Sequence, residues 1–223
     1  MAVNEIVFKQ ITEELDAKHV TLVAVSKTKP VTDIQQLYDL GQRDFGENYV
    51  QEIIEKQAVL PPDIHWHFIG HLQSNKVKYL VPFVYMIHGV DSLKLLKEID
   101  RQALKNNRTI SVLLQVHIAM EETKFGLDEE ELNELISTLP GLPNIALKGL
   151  MGMASFTDDD DIVRNEFRRL KALYEKINVL YAAQFPGSQL TTLSMGMSAD
   201  YRIAIEEGSN MIRIGSLLFG VRD

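Results

Sequence analysis

Lys27 closes an apolar run, Val20-Thr21-Leu22-Val23-Ala24-Val25, and Lys29 and Pro30 follow within three residues. An ammonium at the end of a buried-looking strand has two readings. Either the strand has reached solvent, or an amine stands at a pocket mouth for covalent chemistry with a carbonyl. Free lysine has a pKa of about 10.4, so the second reading needs a site that lowers it by desolvation or by a nearby cation. Arg213 is a candidate cation, set in the otherwise apolar run Met211-Ile212-Arg213-Ile214. Its guanidinium either pairs outward with a surface carboxylate or points inward to an acceptor, because burial without one is costly. Gly215-Ser216 offers backbone N–H groups and a hydroxyl just beyond, and Ser194 offers a second hydroxyl. Such groups suit an anion.

What could bring Lys27, Ser194 and Arg213 together is a parallel barrel. Strands are predicted at about 21–27, 44–48, 64–70, 86–90, 110–118, 147–153, 191–195 and 211–215. Helical patterns alternate with them. Thr32 is predicted to cap a helix carrying Ile34, Leu37 and Tyr38, and Ser92 one carrying Leu93, Leu96 and Ile99. Asp128 with Glu131 has the spacing of a capping box. The acidic run 158–161 suits the start of a helix carrying Phe167, Leu170 and Leu173 better than a metal site. Asp200 leads into a short helix ending near Gly208. Eight strands alternating with helices predict an α/β fold, a single (β/α)8 barrel over residues 1–223. An amphipathic N-terminal helix within residues 1–18, bearing Val7, Ile11 and Leu15, is predicted to pack where a final helix would sit. In such barrels the chemistry lies at the C-terminal strand ends. Lys27, Asn48, Ser194, Arg213, Gly215 and Ser216 all fall there.

The bulk composition narrows the function. The 223 residues carry a formal net charge of -8, which disfavours nucleic-acid binding through a basic surface. With no cysteine, disulfides, thiolate metal sites and a cysteine nucleophile are excluded. No apolar stretch approaches the roughly 20 residues that span a bilayer, and the N-terminus lacks a signal peptide's apolar core. A cytoplasmic protein without a membrane partner is expected.

Six segments, AVSKTKP, FGENYVQE, WHFIGHLQSNK, KGLMGM, LSMGMSADY and RIGSLLFG, occur here in order. Together they resemble the pyridoxal phosphate homeostasis proteins (the YggS/PROSC group), from about Val20 to Asp223. The resemblance implies the fold of the alanine racemase N-terminal barrel and pyridoxal 5'-phosphate (PLP) as cofactor. It implies a role in holding and distributing PLP and in vitamin B6 and amino-acid homeostasis, with little or no turnover. It also implies a Schiff base at Lys27, with Lys29 as the second, non-linking lysine. Ser194, Gly215 and Ser216 match phosphate-binding positions, and Arg213 matches the arginine facing the pyridine nitrogen. Asn48 matches a pocket residue near the ring, and Met195 and Met197 fall beside the cofactor. Many members carry Asn at the place of His117 and Thr at that of Ser216; the second exchange keeps the hydroxyl.

An arginine facing the pyridine nitrogen can only donate, which keeps the ring a poor electron sink. Carbanion chemistry is then disfavoured, and no motif tyrosine offers an opposing base. The alternatives are a weak amino-acid racemase of the same fold type, or a PLP-independent Schiff-base aldolase. PLP-dependent apoenzymes are the expected recipients, and a monomer is expected. His65, His67 and His71 invite a zinc reading, which the absence of a clear carboxylate ligand disfavours. Met151, Met153, Met195 and Met197 are expected to pack at the barrel top, and Trp66 in the core.

Overall fold

The computed structural model describes residues 3–120 and 126–220. Eight parallel strands close into a barrel in sequence order: β1 (Thr21–Val25), β2 (Asp44–Glu47), β3 (His65–Phe68), β4 (Met86–Val90), β5 (Ile110–Gln115), β6 (Ile145–Met151), β7 (Thr192–Ser194) and β8 (Met211–Ile214). β1 closes the ring by pairing with β8, with Val23 opposite Arg213. Each predicted strand is present, shortened by up to three residues at its ends or, for β6, begun two residues earlier. The segment 121–125, part of the QVHIAMEETKFG stretch, lies outside the described residues.

Strand periodicity sorts the side chains into two cores. Leu22 and Ala24 face outward into the large core between barrel and helices. Val23, Met86, Leu113, Met151 and Met211 face inward and fill the barrel, with Met153 packed against them. Counting by twos along β1, Val23, Val25 and Lys27 share the inward face. Arg213 shares it with Met211.

Helices α1 (Glu5–Asp16), α2 (Val31–Asp39), α3 (Val50–Gln57), α4 (Val77–Leu80), α5 (Leu93–Lys105), α6 (Glu129–Thr138), α7 (Asp160–Gln184), α8 (Tyr201–Glu206) and α9 (Ser216–Phe219) follow or precede the strands. Ser92 caps α5, and Asp128 and Glu131 form the reciprocal box on α6. Asp159 from the acidic run caps α7. Thr32 caps nothing. The Pro30 carbonyl accepts from the Asp33 and Ile34 amides, so α2 begins at Val31 and Thr32 lies inside its first turn. The N-terminal helix buries Phe8, Ile11 and Leu15. It packs against β1 and against the one-turn α9 that follows β8, with Asn4 N–H donating to Leu218 O (2.8 Å).

The barrel interior also holds a polar chain. Asp44 Oδ1 accepts from His67 Nε2 at 2.9 Å and meets His65 Nδ1 at 3.2 Å. His67 Nδ1 lies 2.8 Å from His88 Nε2. With Asp44 accepting, His67 carries its proton on Nε2, so His88 must donate from Nε2. That leaves His88 Nδ1 buried without a protein partner. Asp44 is the carboxylate that the sequence left unassigned between these histidines. His71 pairs elsewhere, with Asp91. Burial works against ionised Asp44, but His67 and His65 together hold its carboxyl below the usual range. Burial pushes His67 down despite Asp44. Burial, His67 and Arg213 push His88 down further.

Both histidines are neutral in the fold, while the unfolded chain takes up protons below a pKa of about 6.5. Stability is therefore full above that value and is lost as pH falls toward the lower folded values, by up to about 1.4 kcal/mol per pH unit for each histidine. The melting temperature is expected to fall between neutral pH and pH about 5. His88→Gln, which keeps a donor for His67, is expected to halve that slope; an unchanged slope would place the acid sensitivity elsewhere.

Candidate functional site

A cavity of about 550 Å³ opens at the C-terminal end of the barrel. Its size is that of a small-ligand site. Lys27, Asn48, Met197, Arg213, Gly215 and Ser216 all line it, although they come from four different strand ends.

Lys27 sits in a tight loop after β1, closed by Lys29 N–H to Ser26 O (3.0 Å). Thr28 takes φ +64°, a left-handed conformation uncommon for a β-branched residue. Lys29 also reaches the cavity wall, but its ammonium donates to the Phe219 carbonyl at 2.9 Å, at the end of α9. The two lysines of the motif are therefore placed differently.

Arg213 points inward and is only 4% exposed. Its guanidinium donates to Ser194 Oγ (2.6 Å) and to Gly152 O (3.0 Å). Burial lowers its pKa to about 10, with Asp200 opposing, so it remains a cation at neutral pH. Ser194 does not line the cavity; it lies beneath it as an acceptor for Arg213. Met195 does not line it either and is fully buried in the outer core. Met197 stands at the rim, 38% exposed, rather than packed. Trp66, Met151 and Met153 pack as expected. Among the described residues, His117 is not part of the lining.

Sequence reasoning missed Ser198 as a site residue. Gly196 turns the chain at φ +97°, and Asp200 accepts from the Met197 amide (2.6 Å). That turn carries Ser198 to the cavity, where its Oγ accepts from the Gly215 amide at 3.3 Å. Ser198, Gly215 and Ser216 thus gather two hydroxyls and backbone N–H groups at the start of α9. The available signal was a second hydroxyl four residues beyond Ser194. On the opposite wall, Asn48 Oδ1 is buried without a partner in the protein. Across the mouth, Glu166 accepts from Ser155 N (2.7 Å), Ser155 Oγ (2.7 Å) and Met120 N (3.1 Å), tying together the loops after β5 and β6.

The arrangement joins an amine, a polar amide side, a buried guanidinium floor and an anion-binding corner. Among the described residues, no three histidine or acidic side chains converge to hold a metal, and no helix is long and apolar enough to cross a membrane.

Comparison with known proteins follows the same lines. The alanine racemase N-terminal domain family matches residues 8–223. The chain is 43% identical over 202 residues to the pyridoxal phosphate homeostasis protein of Aquifex aeolicus, covering 90% of this chain and 86% of that one. It is similar to PipY of Synechococcus elongatus, solved with PLP bound, with TM-score 0.80 and 37% identity over 91% of this chain and 93% of that one. The alanine racemase of Bartonella henselae, solved with covalently bound pyridoxal phosphate, matches with TM-score 0.72 at 18% identity, which shows the fold alone. This chain spans 57% of that enzyme.

Proposed function

The chain belongs to the pyridoxal phosphate homeostasis proteins, built on the alanine racemase N-terminal domain, and from that premise we propose that it holds PLP in the cavity at the barrel mouth. One observation carries the reading: Lys27, Asn48, Arg213, Gly215 and Ser216 line a single cavity. The donor set fits the cofactor. Lys27 supplies an amine for its aldehyde. Ser198, Ser216 and the Gly215 backbone suit a dianionic phosphate. Asn48, whose Oδ1 lacks a partner, can turn its amide to present either a donor or an acceptor to the ring substituents. Arg213 lines the cavity floor, where it would meet the ring, and Ser194 and Gly152 fix the plane of its guanidinium.

When bound, PLP supplies an aldehyde and a ring that can draw electrons from an attached amino acid. This chain's residues temper the second property. Arg213 donates only and stays cationic, so it withholds a proton acceptor from the ring nitrogen. Among the described residues, no tyrosine or histidine lines the cavity as an opposing base. The protein is thus read as a reservoir with little or no turnover. It acts in one domain as a cytoplasmic monomer of 25.3 kDa that passes PLP to PLP-dependent apoenzymes.

The test compares PLP with pyridoxal, which lacks the phosphate. PLP is expected to bind at least about 100-fold more tightly, a difference of roughly 2.7 kcal/mol for a dianion in a donor-lined corner. Ser198→Ala with Ser216→Ala is expected to erase most of that preference. Equal binding of the two would remove the phosphate corner from the account. Isomerisation of an amino acid by the PLP-loaded protein, lost in Lys27→Ala, would favour the weak-racemase alternative.

A further inference from the structure

The FGENYVQE segment supplies Asn48 to the cavity, but its two glutamates face away from it. Glu47 ends β2 on the outward face, fully buried, and Glu52 lies on α3. Between them reaches Lys56, one turn further along α3 and only 6% exposed. Its ammonium donates to Glu47 Oε1 (2.7 Å), Glu52 Oε2 (2.9 Å) and the Ser26 carbonyl (2.9 Å). Ser26 Oγ donates to Glu47 Oε1 at 2.6 Å. The Thr28 amide donates to Glu52 Oε2 at 2.8 Å. The residues on both sides of Lys27 are therefore fastened to one ionic cluster.

We propose that Glu47, Glu52 and Lys56 are positioning residues that hold the Ser26–Thr28 backbone so that the Lys27 amine stands in the cavity. The inference rests on the reading of Lys27 as the PLP-linking lysine.

Two independent features support it. Thr28 is held at φ +64°; such a conformation is costly for a β-branched residue and persists only where the surroundings over-determine it. The strain falls on the residue next to Lys27, and the acceptor that holds it is Glu52. Second, the cluster is a poor device for stability. Two carboxylates share one ammonium, and Glu47 Oε2 is buried without a partner. Burying ion pairs is often no more stabilising than apolar packing, so such a cluster points to a demand on geometry.

The geometry matters because the step is sensitive to it. The lysine nitrogen forms a bond to the aldehyde carbon, and the aldehyde oxygen leaves as water with the amine's two protons. A displacement of ~1 Å in such a site can cost ~10²-fold.

Glu52→Ala is the decisive variant. The Glu52 side chain is 28% exposed, and its loss leaves the Glu47–Lys56 pair in place. The protein without PLP is expected to keep its melting temperature within a few degrees while the Thr28 amide exchanges hydrogen about tenfold faster. After PLP is added, the rate at which borohydride traps cofactor on Lys27 is expected to fall about tenfold or more. Glu52→Gln, which keeps an acceptor, is expected to restore most of both. In a Lys27→Ala background, Glu52→Ala should leave residual PLP affinity unchanged; an equal loss in both backgrounds would mean a general structural role and overturn the proposal. So would wild-type trapping and exchange in Glu52→Ala, or in Lys56→Met with the fold intact by circular dichroism. A wild-type protein that traps no cofactor on Lys27 would take down the reading of the site and this inference together. Trapping on Lys27 in the wild type that is indifferent to the variants would remove only the inference.

Discussion

Lys27→Ala is expected to abolish the visible absorbance of lysine-bound PLP while leaving the protein folded. The side chain sits at the end of β1, in the loop rather than in the packed core. Its removal should shift stability by no more than about 1 kcal/mol, as for most substitutions outside the core. The phosphate corner and Arg213 are untouched by the change, so PLP should still bind. Its affinity should drop at least about tenfold, the equivalent of roughly 1.4 kcal/mol, because the covalent attachment is gone. Lys29 is a poor substitute. Its ammonium is engaged by the Phe219 carbonyl, and freeing it would leave the end of α9 without that donor. Lys29→Ala should therefore keep the absorbance band. An absorbance band that survives Lys27→Ala and disappears in Lys29→Ala would reverse the assignment of the two lysines.

Gly70→Ala is expected to destabilise the barrel strongly at the site itself. Gly70 follows β3 where the ends of β2, β3 and β4 nest together. A Cβ there would lie 2.4 Å from the Asn48 carbonyl oxygen and 2.8 Å from Asn48 Cα. Both are backbone atoms and cannot swing aside. Gly89 on β4 packs directly against the Gly70 carbonyl, which lies 2.7 Å from where a Gly89 Cβ would be, so Gly70 cannot retreat that way. Overpacking of this kind typically costs 1–3 kcal/mol and sometimes more; a loss of about 3 kcal/mol should lower the melting temperature by roughly 10 °C in a chain of this size. PLP binding should weaken as well, because Asn48 is the residue displaced. Gly141→Ala is the matched control: nothing lies within 4 Å of its would-be Cβ, and its effect should stay within about 0.5 kcal/mol. Equal melting temperatures for the two variants would mean that the strand ends yield more readily than their spacing implies.

The barrel was legible in the sequence because apolar runs such as those of β1, β5 and β8 alternate with helix signals. The cap at Ser92 and the box at Asp128 were readable because capping is local chemistry. Lys27, Asn48, Arg213, Gly215 and Ser216 could be placed at one mouth because each ends or follows a strand. Depth below the mouth was not legible. Ser194 and Ser198 have the same side chain and fall four residues apart, yet one lies beneath the floor and the other on the wall. The turn at Gly196 makes that difference, and its direction is set by Asp200 and by contacts with α8. Nor does the sequence announce Lys56. A lysine on a helix reads as solvated, and only the fold shows the two glutamates that draw it inward. The Asp44–His67–His88 chain was hidden for a similar reason: β2, β3 and β4 are neighbours only once the barrel has formed.

The most direct test of the central claim is borohydride reduction of the wild-type protein after PLP is added, followed by peptide mapping. A single adduct on Lys27, with none on Lys29 or Lys76, is the result expected of an amine placed in the cavity with a phosphate corner beside it. An adduct spread over Lys29, Lys76 and other lysines, or none at all, would contradict the PLP site and return Lys27 to a strand end that has merely reached solvent.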